Sequence, residues 1–314
     1  MISGIINIYK EKGYTSHDVV AKMRGILKIK RIGHTGTLDP DAEGVLPICI
    51  GKATKVVELI VNKNKTYEAI LQLGVVTDTQ DMTGQIIKTS PVDVSLDQIS
   101  KVVDKFIGGY DQIPPMYSAL KVNGKKLYEY ARQGKEIERK SRRVDISDIK
   151  ILDYKPEENQ LKIRVDCGKG TYIRTLIHDI GEELGCGGAM KSLIRTKVGE
   201  FNLSDSLTLK EVEEHLDKDN LLKYMVSVDD MFSSYPKIKV DRNYHRLIHN
   251  GNPFLQKHIV GPESRIDLTS LQTEEGDLYF RVYDADNTFV GLYSYDWGNK
   301  FLLLKRCLYK MKMT

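Results

Sequence analysis

Four cysteines, Cys49, Cys167, Cys186 and Cys307, are all that 314 residues carry, and no two form a C-x-x-C pair. Their spacing matches no zinc site, and scattered thiols in a chain of this length read as reduced, buried side chains of a cytoplasmic protein. No run of about 18 apolar residues occurs, so nothing reads as a membrane span. The opening "MISGIINIYKEKG" has a short apolar run without the long core or cleavage site of a signal peptide, and is expected to be a first strand. Standard cofactor motifs are missing too. "GKAT" at 51 and "GKGT" at 168 lack the earlier glycine of a phosphate-binding loop, and no G-x-G-x-x-G follows a strand. There is no H-E-x-x-H, no zinc-deaminase pattern and no G-x-S-x-G. The chain is therefore expected to work without a metal or nucleotide cofactor.

What is present is ordinary globular material, 41% apolar and 29% charged, in a length that suits two domains. "SGIINIYKEKGYTSHDVVAKMRGIL" predicts a strand, a turn at Gly13 and a helix capped by Thr15 or Ser16. Period-two alternation predicts strands at "TYEAILQLG" (Tyr67, Ala69, Leu71, Leu73) and "QLKIRVDCG" (Leu161, Ile163, Val165, Cys167). Helical spacing predicts "SLDQISKVVDKFIG" with Ser95 as N-cap, and "GTYIRTLIHDIGEELG" ending at Gly185. No regular strand–helix–strand rhythm appears, so the expected class is α+β on a mixed, largely antiparallel sheet. Residues 228 to 240 read as a linker, and the β-rich remainder as a small all-β unit, giving domains 1–235 and 236–314.

The net charge of +4 hides an uneven distribution. Residues 121–143 hold nine Lys or Arg against three Glu, a local +6, leaving −2 for the rest. Tyr128 and Tyr130 are interleaved with these cations. Taken alone, the segment is either a solvated helix face or an arm that meets nucleic-acid phosphates.

The stretch "GHTGTLDPDAEGVLP", residues 33–47, places Asp39 among glycines and prolines. Gly33 and Gly36 permit positive φ or close approach of a partner. Asp39 precedes Pro40 and is pushed towards extended backbone. Asp39 is then either the cap of a turn or helix begun by Pro40, or a carboxylate presented by the loop.

Read together, five blocks in one order resemble the tRNA pseudouridine-55 synthases, the TruB family. They are "GHTGTLDPDAEGVLPICIGKATK", "KTYEAILQLGVVTDTQDMTG", "QIPPMYSALKVNGKKLYEYARQG", "CGKGTYIRTLIHDIGEELG" and "LIRTKVGEF". The match spans roughly residues 3 to 201. It departs near the start, where Tyr9, Lys10 and Glu11 stand in place of Asp-Lys-Pro, and weakens after residue 235, where "NGNPF" is the main agreement.

The resemblance implies a pseudouridine synthase fold followed by a PUA-like RNA-binding domain. It implies that Asp39 is the nucleophile and Arg174 its ion-pair partner, a task that a planar bidentate fork suits better than an ammonium. It implies that Tyr67 stacks on the flipped uracil and serves as general base. Tyr172 and Leu193 would wall the pocket, with Leu193 read equally well as plain core. His34 would fill the space the uridine leaves. The basic insertion, with Lys125 and Lys126, would clamp the T-arm of tRNA. No obligate protein partner is implied, and a monomer is expected. The alternatives are a tRNA-binding or folding protein without catalysis, and a relative working with guide RNA.

Overall fold

The computed structural model describes residues 2–262, 279–296 and 298–307. Its strands in chain order are β1 (Gly4–Lys10), β2 (Ile32–His34), β3 (Glu43–Ile50), β4 (Lys65–Leu73), β5 (Val75–Thr77), β6 (Ile86–Thr89) and β7 (Gly108–Gln112). There follow β8 (Lys121–Val122), β9 (Lys125–Lys126), β10 (Arg142–Lys155), β11 (Gln160–Cys167), β12 (Gly188–Val198), β13 (Phe201–Asn202) and β14 (Met225–Val226). Ten of them form one sheet, ordered β14-β1-β3-β12-β4-β11-β10-β7, with β13 beside β12 and β2 beside β3. Every pairing is antiparallel except β12 with β3, so the sheet is mixed and largely antiparallel as expected.

The predicted helices form where their caps lie. Thr15 caps Ser16–Leu27 and Ser95 caps Leu96–Asp104, each by a reciprocal capping box that satisfies two otherwise orphaned backbone donors. The helices Leu96–Asp104 and Ile173–Glu183 cover β4, β10, β11 and β12, burying Ile99, Val103, Leu176, Ile177 and Ile180 against Leu71, Leu161 and Ile163. The alternating residues Tyr67, Ala69, Leu71 and Leu73 all face this core. Ser16–Leu27 and Leu209–Asp217 cover β1 and β3 through Ile6, Ile8, Leu46 and Ile48. Ile5, one residue out of phase, points to the opposite side with Val45 and Cys49. Because β1 is buried on both sides, it reads as an apolar run and not as an alternation.

The all-β unit is a six-stranded sheet built from β15 (Lys237–Val240), β16 (Phe254–Leu255), β17 (Ile259–Val260), β18 (Tyr279–Tyr283), β19 (Phe289–Asp296) and β20 (Phe301–Cys307). Its character is PUA-like, as expected. The segment read as a linker is instead structured. Residues Val228–Met231 form a short helix capped by Ser227, and Lys237–Val240 is the strand β15. Val228, Met231 and Phe232 are buried with Ile5, Val45 and Cys49, and Leu292 of β19 joins the same cluster at 0% exposure. The Pro, Ser and Asp of the segment suggest a loop, but its apolar residues are spent on fastening the second sheet to the first. Leu292→Ala is accordingly expected to cost about 2–5 kcal/mol. A urea melt should show one transition shifted to lower denaturant for the whole chain. Early loss of the second sheet alone would show that the two sheets do not share a core. Among the described residues, no helix is long and apolar enough to cross a membrane.

Candidate active site

The Asp39 loop joins β2 to β3 and is fastened at nearly every residue. Thr35 is fully buried and bonds Pro47 O through both its N–H (3.2 Å) and its hydroxyl (3.0 Å). Ser16 Oγ, at the start of the first helix, accepts from Leu38 N–H at 2.9 Å. Leu38 and Ala42 sink into the core beside Tyr67 and Ile173. Between them Asp39, Pro40 and Asp41 turn back, closed by Ala42 N–H to Asp39 O at 3.1 Å. Pro40 thus opens a β-turn, with its fixed φ at the second position, and no helix follows. Of the two glycines singled out, only Gly36 has positive φ (136°). Gly33 sits in β2 with room for a Cβ.

The loop's far end rests on a lysine the sequence reading passed over. Lys10 has 0% exposure, and its ammonium donates to Tyr14 O (2.5 Å), Pro40 O (3.1 Å) and Glu11 O (3.2 Å). Burial lowers its pKa to about 8, against the pull of Glu43 and Asp39. The unusual Tyr9 and Glu11 flank this residue without changing its use. Tyr9 donates its hydroxyl to Glu43 at 3.0 Å, and Glu11 supplies a carbonyl.

Asp39 and Arg174 do meet. Arg174 Nε lies 3.0 Å from Asp39 Oδ2, with the arginine 6% exposed and the aspartate side chain 41% exposed. The guanidinium does not grip Asp39 with two nitrogens, however. Its Nη1 turns to Asp81 Oδ2 (3.3 Å) and Thr79 O (3.2 Å), and Nη2 donates to Tyr117 O (2.9 Å). Arg174 therefore stands between two carboxylates, which offsets the cost of a buried cation at a helix N-terminus. Asp81, like Lys10, is a residue that sequence reasoning missed. It lay inside a matching block, "DTQDMTG", but a carboxylate in a polar turn carries no signal of its own. Burial raises the Asp39 carboxyl above the ordinary range; Arg174 and Lys10 pull it down and Asp81 pushes it up.

Tyr67 is 9% exposed and lies opposite Arg195 in the β4–β12 register. Burial raises its phenol, partly countered by the Arg195 cation bonded to it. It therefore stands protonated at neutral pH. Arg195 is 1% exposed and also donates to Val45 O (2.7 Å) and Gly36 O (3.3 Å), so one side chain ties Tyr67 to the Asp39 loop. Its signal was weak because an isolated strand arginine is normally a surface residue.

Leu193 pairs with Ala69 in register and is 7% exposed within the same core as Tyr67 and Leu38. Tyr172 is the half-buried N-cap residue of the helix carrying Arg174. His34 ends β2, accepts Gly36 N–H at Nδ1 (3.3 Å) and meets His17 edge-on with ring centroids 5.2 Å apart. Burial, then the neighbouring His17 and Arg195, lower its pKa, leaving a neutral ring.

Lys125 and Lys126 lie away from these groups, on the small β8–β9 hairpin. Asn123 (φ 51°) and Gly124 (φ 83°) form its tip, the asparagine–glycine turn that matches strand twist. Lys126 and Arg132 stand over the Tyr128 ring at 5.4 and 5.3 Å. Helix covers only Leu127–Ala131, so most of the basic segment is not a helix face.

Among the described residues, His245, His249 and Asp284 are grouped closely enough to hold a metal ion. They lie in the second sheet's unit, and their donor atoms are already engaged: His249 Nε2 with Asp284 at 3.1 Å, and His245 Nε2 with Ala285 N–H at 3.1 Å.

A ten-stranded mixed sheet thus carries one aspartate, on a glycine–proline loop, paired with a buried arginine, and a buried tyrosine on β4. Residues 24–173 match the profile of the TruB family pseudouridylate synthase N-terminal domain, and 174–233 that of the tRNA pseudouridylate synthase B C-terminal domain. The chain is 50% identical over 303 residues to tRNA pseudouridine synthase B of Lachnoclostridium phytofermentans, covering 94% of this chain and 96% of that one. It is 46% identical over 291 residues to the protein of that name from Clostridioides difficile, covering 92% and 93%. A solved Cbf5-Nop10-Gar1 complex contains a chain of TM-score 0.69 and 27% identity, covering 93% of this chain and 78% of that one. The chain belongs to the TruB family of pseudouridylate synthases.

Proposed function

We propose that this enzyme isomerises the uridine at position 55, in the T-loop of tRNA, to pseudouridine, with Asp39 as nucleophile. The observation that carries this reading is the Asp39 carboxylate itself. It is anchored on both sides by core residues and paired with Arg174, yet 41% exposed at a turn. A structural cap would not need a buried arginine aimed at it.

The reaction breaks the N1–C1′ bond, rotates the base and forms C5–C1′. The C5 proton is lost and N1 gains one, so no electrons are exchanged. The carboxylate attacks to free the base and leaves again afterwards. Arg174 keeps it ionised and oriented. The target must first be flipped out of its stack, at a cost of a few kcal/mol. His34, neutral and placed at the loop's entrance, suits the vacated position. Tyr67, Tyr172 and Leu193 are assigned to the uracil pocket. Tyr67 enters the cycle as a phenol, so its part is first a stacking face. A role as base depends on the Arg195 cation beside it. The PUA-like sheet, within domain 236–314, is assigned to further RNA contact, and the protein to the cytoplasm as a monomer acting without an obligate partner.

The test is an unmodified tRNA transcript incubated with the protein and a chelator, with pseudouridine mapped by position. Product at the T-loop uridine supports the assignment. Product elsewhere, or none, overturns it. The basic insertion gives a second check. Lys125→Glu with Lys126→Glu is expected to weaken tRNA binding and to reduce the slope of log K against log salt by about one to two, as lost phosphate contacts release fewer counterions. An unchanged slope would remove these lysines from the interface.

A further inference from the structure

The sequence "GGYDQIPPMY", residues 108–117, carries a side chain to which neither the family resemblance nor the chemistry above gives a part. Gln112 ends β7, is 1% exposed, and spends its amide on the backbone of Tyr172. Its Oε1 accepts Tyr172 N–H at 2.8 Å, and its Nε2 donates to Tyr172 O at 3.0 Å. The side chain thus pairs with Tyr172 as a neighbouring strand would. The same Nε2 also meets Tyr110 Oη, which in turn contacts Asp179, about two turns along the helix from Tyr172, at 3.3 Å.

This clamp falls where the helix has no other. Ile173–Glu183 lacks any side-chain cap, and its N-cap residue is Tyr172. Two residues further on is Arg174, whose Nη2 donates to Tyr117 O. Gln112 and Tyr117 therefore bracket a strap whose two ends are both fixed to the segment 172–174. Pro114 and Pro115, both buried, stiffen the strap between them. Arg139, from the far side of the basic insertion, donates to Pro114 O at 3.2 Å.

We propose that Gln112 is a positioning residue of this enzyme. Its amide fixes the phase of the helix N-terminus, and so sets both the ring of Tyr172 and the reach of Arg174 to Asp39. This rests on the pseudouridine synthase reading above. A glutamine suits the position because only a side chain with one donor and one acceptor satisfies both backbone groups of one residue. With alanine there, Tyr172 N–H loses its partner, its carbonyl keeps only Leu176 N–H (3.0 Å), and the first turn is held less firmly. Misplacement of about 1 Å in a catalytic group can lower turnover by about 100-fold.

The experiment compares wild type, Gln112→Ala and Gln112→Glu in single-turnover formation of pseudouridine on a tRNA transcript. Transcript affinity and thermal melting are measured alongside. Gln112→Ala is expected to lower the rate about 10- to 100-fold with tRNA affinity within twofold of wild type. Gln112→Glu keeps the acceptor for Tyr172 N–H but not the donor for its carbonyl, and is expected to recover part of that loss. Wild-type rates for Gln112→Ala would overturn the proposal. So would equal losses of rate and affinity, or a lowered melting temperature without rescue by glutamate, which describe a purely structural residue. Should the alanine variant fail to fold, the glutamate variant decides alone: an unchanged rate overturns the proposal, and a several-fold drop at unchanged affinity supports it. An inactive wild-type protein would instead count against the function proposed above.

Discussion

Asp39→Asn is expected to abolish pseudouridine formation, on the order of 10⁴-fold or more, while leaving tRNA affinity within a few-fold of wild type. Asparagine keeps the size of the side chain and its place in the turn, because Pro40 and the Ala42 N–H to Asp39 O bond fix the backbone. It cannot act as an ionised nucleophile, and it presents only a neutral oxygen to Arg174. The core anchors at Leu38 and Ala42 do not involve the carboxylate, so the fold should hold. Single-turnover assays with a tRNA transcript and a parallel binding titration check both halves. Residual activity within tenfold of wild type would remove Asp39 from the chemistry. Binding by both proteins with product from neither would leave an RNA-binding protein in place of an enzyme.

The second large effect concerns the two carboxylates that share Arg174. Arg174→Lys is expected to lower turnover about 100- to 1,000-fold, since a single ammonium cannot reach Asp39, Asp81, Thr79 O and Tyr117 O together. Asp81→Asn should cost less, because Arg174 keeps its other partners. The two changes differ more sharply in pH dependence. On the proposed mechanism catalysis needs Asp39 ionised, so the rate is expected to fall as pH drops through its pKa. Burial already holds that pKa above the ordinary carboxylate range. Arg174 lowers it, so placing the cation less well moves the acid limb to higher pH. Asp81 raises it, so Asp81→Asn moves the limb to lower pH. Rate–pH profiles of the three proteins, measured at one ionic strength, test this. Shifts in the same direction would show that Asp81 acts on Asp39 only through the orientation of the arginine.

Much of this enzyme is local in origin and therefore legible in the chain. Thr15 and Ser95 announce two helices because a cap needs only a hydroxyl and a polar residue three positions on. The alternation in "TYEAILQL" gives both the strand and its inward face, with Tyr67 on that face. Asp39 and Arg174 could be paired from the resemblance alone, although they lie far apart in sequence.

Other features depend on which strands become neighbours, and no local pattern records that. Arg195 is a buried tie and not a surface charge only because β12 lies between β3 and β4. Asp81 reaches Arg174 only because the β5–β6 hairpin folds back over the helix N-terminus. Lys10 finds three carbonyls at once only when β1, the Gly13 turn and the Asp39 loop converge. The stretch that reads as a linker is fixed by Leu292, contributed from some sixty residues further along. Sequence thus determined which groups exist and how each is presented by its own turn, strand or helix. Tertiary structure decided which charges are buried and what they hold, because the free energy of a buried polar group depends on partners that only the folded chain brings within hydrogen-bond distance.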